Sequence, residues 1–145
     1  MFQTFALPYI VSEGETCLVI QRIFRWLAVI FFVAAGLNHF RDPQLYRSIM
    51  PPYLPWPMEL IAISGLAEVL GGLGLLIPGL RKAAAWGLIA LLIAVFPANV
   101  EMLFRGFRGL PTWLLWARLP FQAVFVAWVA WVGLGKQNDR RTEFR

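Results

Sequence analysis

The chain reads as an all-α integral membrane protein, a bundle of four membrane-crossing helices. Three observations predict this. Hydrophobic residues make up 59% of the 145 and charged residues 14%, against roughly 45–50% and about 25% in ordinary soluble domains. Four apolar runs, at about 23–40, 60–80, 83–99 and 113–134, each approach the ~17–25 residues a spanning helix needs. Within them Leu, Ile, Val, Phe and Ala follow one another without the period-2 alternation of a barrel strand.

Residues 1–22 form a mixed N-terminal segment containing Glu13, Glu15 and Arg22. No basic start precedes the first apolar run, so a typical cleaved signal peptide is not expected. Ala34-Ala35-Gly36 loosely resembles a cleavage site, but three further apolar runs keep the chain in the membrane. The first span carries Arg25 near its start. Residues 41–59 then carry Pro43, Pro51, Pro52, Pro55 and Pro57. The last four forbid a regular helix and favour a stiff, extended stretch over the mouth of the bundle. The second span ends in a tight turn at 78–82, and the third carries Pro97 near its end. A loop over 100–112 ends in Pro111-Thr112, a helix start, and opens the fourth span. Residues 135–145 are a polar tail. No internal repeat with a defined period is present.

The net charge is +5, but the basic residues sit mostly at the ends of apolar runs. That is where they meet lipid headgroups, and a nucleic-acid partner is not expected. Seven Trp fit the same interfacial placement. Arg22, Arg25, Arg81, Lys82, Lys136, Arg140, Arg141 and Arg145 fall on one side. Arg41, Arg47, Arg105 and Arg108 fall on the other, with Arg118 just inside the fourth span. Eight against five places both termini in the cytoplasm. The single cysteine, Cys17, cannot run dithiol chemistry. With one histidine and no Cys/His cluster, no structural metal is expected.

Ionisable groups inside a span cost roughly 2.5–3.5 kcal/mol on insertion scales, so they face protein or a cavity. Glu68 is the clearest. Its neighbours one turn away are Ser64, Gly65, Gly71 and Gly72, small residues that let another helix come close. It reads either as a structural glutamate fixing helix packing or as a proton-handling or ligand-binding group. Glu59, nine residues earlier, lies on the opposite face. Other polar groups gather at the same end of the bundle: Asn38 and His39 on the first span, Asn99 and Glu101 at the end of the third, Arg118 and Gln122 one turn apart on the fourth. Pro97 removes the helical donor for the Ile93 carbonyl, and Pro120 that for Trp116. Arg118 needs an acceptor, for which Glu68 and Glu101 are both candidates. His39, Glu68, Asn99, Glu101, Arg118 and Gln122 are therefore the candidate ligand-binding set. They read either as caps and a structural ion pair or as one polar pocket under the Pro-rich segment.

Three stretches resemble the DoxX-like membrane proteins. The first is Ala35-Gly36-Leu37-Asn38-His39-Phe40 with Pro43, Tyr46 and Met50-Pro51-Pro52-Tyr53-Leu54-Pro55. The second is Ser64-Gly65-Leu66-Ala67-Glu68-Val69-Leu70-Gly71-Gly72 with Gly74 to Pro78. The third is Ala94-Val95-Phe96-Pro97-Ala98-Asn99-Val100-Glu101-Met102. The resemblance covers about residues 26–134. It implies a four-helix bacterial inner-membrane protein, redox-associated, taking quinone or another lipophilic molecule in the polar pocket, with Glu68 and His39 handling protons and Arg118 polarising a carbonyl. It also implies membrane-associated oxidoreductases as partners. A non-catalytic scaffold for such enzymes and an oligomeric small-solute carrier are the alternatives, the latter needing a homo-oligomer.

Overall fold

A computed structural model describes residues 13–107 and 109–135. The polar tail and Arg108 lie outside the described residues, as do residues 1–12 of the N-terminal segment. Among the described residues there are six helices and no strand: α1 Glu13–Arg41, α2 Pro43–Arg47, α3 Pro57–Gly74, α4 Arg81–Ala94, α5 Phe96–Arg105 and α6 Thr112–Leu134. Four stretches are long and apolar enough to cross a bilayer: Glu15–Arg41, Pro57–Gly74, Arg81–Arg105 and Thr112–Leu134.

Only 17–22% of each span is buried inside the bundle. Ile30, Ile63, Leu70, Trp86, Ile93 and Phe121 all point outward and are more than half exposed. Side chains of this kind need lipid, because a water-facing surface of this composition would cost far more than the small core returns. The protein is an all-α, multi-pass membrane protein.

Helix boundaries follow local chemistry. α1 begins at Glu13, ten residues before the apolar run, because helix continues outward through the mixed segment. α3 ends at Gly74, six residues before the end of its apolar run. Pro78 cannot donate, and the chain leaves through turns closed by Leu76 N–H to Leu73 O and Ile77 N–H to Gly74 O. The third span is two helices, α4 and α5, joined at Val95 two residues before Pro97. It runs past Asn99 to Arg105 and stops at Gly106, whose φ of 72° suits glycine. Part of the Pro-rich segment is helical too. Asp42 caps α2 by accepting from the Leu45 N–H at 3.2 Å, and Pro43 stands in the first turn. Pro51 is fully buried, so this segment packs into the molecule rather than merely lying over it.

The spans form a closed ring in the order α1, α3, α4, α6, with α6 returning to α1. α3 and α6 are diagonal, with no close backbone approach, and α5 lies against α6 and α4. The apolar core, formed by Ala28, Val29, Phe32, Leu75, Ala85, Leu88, Ile89, Val129 and Val132, fills the half nearer the described termini. Gly71 against Leu88, Gly74 against Ala84 and Gly133 against Ala85 let the helices close there. The polar residues occupy the other half, beside the two long connections.

Candidate functional site

Two separate polar groups occupy that half. The first lies between α1 and α3. Gly36 and Gly65 bring the two backbones into contact, with no room for a Cβ at either position. This crossing places His39, 8% exposed, against the α3 face carrying Ser64 and Glu68. His39 Nδ1 lies 3.1 Å from the Ile61 carbonyl oxygen and 3.1 Å from Ser64 Oγ. A carbonyl only accepts, so Nδ1 carries a hydrogen. The Ser64 hydroxyl itself donates to Ile61 O at 2.9 Å. The other ring nitrogen, Nε2, faces Glu68 Oε2 at 3.7 Å. That oxygen is buried and has no hydrogen-bond partner. Tyr46 of α2 stacks on the imidazole, ring centres 3.7 Å apart, and its hydroxyl accepts from Asn38 Nδ2 at 3.0 Å. The short helix α2 thus covers the histidine.

The second group repairs the break in the third span. With the helix interrupted at Val95, the Leu92 carbonyl accepts from Gln122 Nε2 of α6. Gln122 is 7% exposed, and its oxygen accepts from Asn99 Nδ2 at 3.0 Å. The Asn99 oxygen in turn faces Arg118 Nη2 at 3.5 Å. The carbonyl that gains a side-chain partner is Leu92's, one residue before the Ile93 carbonyl expected from Pro97. Replacing Gln122 with Leu leaves Leu92 O unsatisfied. Thermal unfolding in detergent should report a loss of about 1–3 kcal/mol, and Gln122→Glu, which cannot donate when ionised, should fail to restore it.

The six predicted residues do not form one pocket. His39 and Glu68 meet, as do Asn99, Arg118 and Gln122, but the α1–α3 and α5–α6 groups sit apart because α3 makes no close backbone approach to α5 or α6. Arg118 reaches neither predicted acid; its acceptor is Asn99. Glu101 pairs with Arg105 at 2.5 Å, one turn along its own helix. An open cleft of about 440 Å³ lies between α2 and the α5–α6 connection, lined by Asp42, Gln44, Ser48, Arg105 and Phe107 among others. None of the six residues lines it. Among the described residues no cluster of His, Cys, Asp and Glu suits a metal ion. Tyr46 and Ser64 were not among the six. Ser64 is one turn before Glu68, and Asp42-Pro43 is a helix start that turns Tyr46 back toward His39.

Residues 27–133 match the family described as Domain of unknown function (DUF8561). The chain belongs to that family. This overturns the DoxX-like resemblance, and the quinone, the redox partners and the bacterial inner membrane that it implied lose their basis with it. The stretches that carried it have a physical explanation of their own. Gly36 and Gly65 serve a helix crossing, Pro97 a span break, and Asn99 its repair, all of which small membrane bundles need regardless of family. No curated protein matches the chain, and no solved structure does.

Proposed function

We propose that this family member is a membrane-embedded proton-binding protein whose working site is the His39–Glu68 pair. One observation carries the reading: Ile61 O holds the hydrogen of His39 on Nδ1, so Nε2 is aimed at the partnerless Glu68 Oε2. A bare imidazole nitrogen and a carboxylate oxygen are both acceptors and repel. A proton between them, on either side, turns repulsion into attraction. Gaining or losing it changes the charge of a crossing where the α1 and α3 backbones touch and where Tyr46 of α2 lies on the ring. Protonation is thereby tied to how α1, α2 and α3 fit together.

Infrared difference spectroscopy of the protein in nanodiscs, titrated over pH, tests this. The carboxyl band of Glu68 and the imidazole bands of His39 should change with a common midpoint, as expected for interacting sites. Glu68→Gln should abolish both the carboxyl signal and the pH dependence of the imidazole bands at that midpoint. Two unrelated midpoints, or no titration, would refute the reading.

The Lys/Arg distribution supports both termini in the cytoplasm, which would put His39 and Gln122 nearer the outside. A reporter fused after Arg145 should then read cytoplasmic, and a cysteine at Gln44 should react with impermeant reagents from outside. The reverse labelling would turn the site toward the cytoplasm.

A further inference from the structure

The rim at the opposite end of the bundle concentrates positive charge, with Glu13 and Glu15 farther out along α1. Arg25 Nε donates to the Val132 carbonyl in the last turn of α6 at 3.1 Å, beside Gln21 Nε2 on Trp131 O at 2.8 Å. Arg81 Nε donates to Leu75 O, just past the end of α3, at 3.0 Å. In each arginine the Nε bond fixes the guanidinium on a helix end and is made without using the Nη groups. Arg25 also lies within the fields of Arg81 and Arg22. Lys82 follows Arg81 in the first turn of α4, which has no acidic residue there and no side-chain cap. A helix N-terminus is itself positive, so two cations placed on it add like charge to like. Among the described residues the ion pairs are His39–Glu68 and Glu101–Arg105, both in the other half. Glu15 stands ten residues before Arg25, about 15 Å along α1.

Held cations at interfacial depth, in no ion pair among the described residues, suit a doubly accepting anion that forked guanidinium groups can grip. We propose that this rim binds a phosphate-bearing anion, with Arg25 and Arg81 as its fixed guanidinium groups and Arg22 and Lys82 as outer charges. An anionic phospholipid headgroup and a free phosphate share this chemistry, and the experiment separates them.

Full-length protein is assembled in nanodiscs of phosphatidylcholine containing a minor fraction of phosphatidylglycerol, and the lipid retained on release is counted by native mass spectrometry. In parallel, inorganic phosphate is added to protein in pure phosphatidylcholine discs and the Tm is followed. Preferential retention of phosphatidylglycerol identifies a headgroup site; a phosphate-dependent rise in Tm without that preference identifies a free-phosphate site. In either case affinity should fall about fivefold for each arginine removed, and about 30-fold for Arg25→Gln with Arg81→Gln. Arg47→Gln, at the other end, should change nothing. Should the double variant fold poorly, Lys82→Gln removes one exposed charge and should lower affinity by about fivefold. No response to either anion overturns the proposal. So does a response that survives the arginine and Lys82 substitutions, which would belong to the basic tail instead.

Discussion

Gly36→Ala should cost about 3 kcal/mol of stability, at the upper end of what overpacking usually does. A Cβ at Gly36 would lie 2.5 Å from the Gly65 carbonyl oxygen and 2.8 Å from Val69 Cγ2. The first neighbour is helix backbone and cannot rotate away, so α1 and α3 must separate. Gly65→Ala should behave alike, since its Cβ would lie 2.7 Å from His39 Cβ and 2.8 Å from Gly36 O. Separation would also widen the 3.7 Å gap between His39 and Glu68, so the common titration should split. Gly87→Ala is the control: no atom lies within 4 Å of a Cβ there, and alanine is about 0.5–1 kcal/mol better than glycine inside a helix. It should leave the protein unchanged or slightly more stable. Equal tolerance at positions 36, 65 and 87 would mean that α1 and α3 do not cross as described.

With the shared proton bound, His39→Leu should be the most damaging side-chain change, at about 3–5 kcal/mol, because it leaves Glu68 buried with no countergroup. Glu68→Leu should also destabilise, by removing a partner of a buried imidazole. Combined, His39→Leu with Glu68→Leu should recover much of the loss, since an apolar pair of similar size replaces both polar groups. Glu68→Gln should be nearly neutral in stability: its amide can donate to the bare Nε2 while keeping the shape. Thermal unfolding of the wild type, the two leucine variants and their combination in one detergent forms a double-mutant cycle. Strictly additive losses would show that the two residues do not interact. Arg118→Gln should not rescue any Glu68 variant, because α6 lies diagonally across the bundle from α3.

The spans were legible in the sequence because continuous apolar composition is a strong and local signal. Pro97 signalled a freed carbonyl near the end of the third span, but not that helix resumes beyond it to Arg105. What repairs the break was not legible. Gln122 reaches Leu92 only because of the register between α6 and α4, which no local pattern encodes. The partners of the charged residues failed for the same reason. Charge alone points Arg118 to two acids, while the structure sets it against the Asn99 oxygen and pairs Glu101 with Arg105. Glu101 with Arg105 is different: the i,i+4 spacing is a local signal that the sequence itself carries. The start of α1 was misplaced because helix, unlike membrane depth, needs no apolar composition, and Glu13 to Gln21 continue the helix beyond the lipid-facing run.

The ring order also bears on how the chain enters the membrane. His39 and Glu68 belong to the first and second spans; Gln122, Asn99 and the Leu92 carbonyl belong to the third and fourth. Each of these two groups is built between spans that are neighbours along the chain. Bonds joining the first span to the fourth, from Gln21 and Arg25 to Trp131 and Val132, lie at the rim where water is at hand. Each successive hairpin can therefore leave the insertion machinery with its buried polar side chains already facing one another, and the two hairpins join mainly through the apolar core.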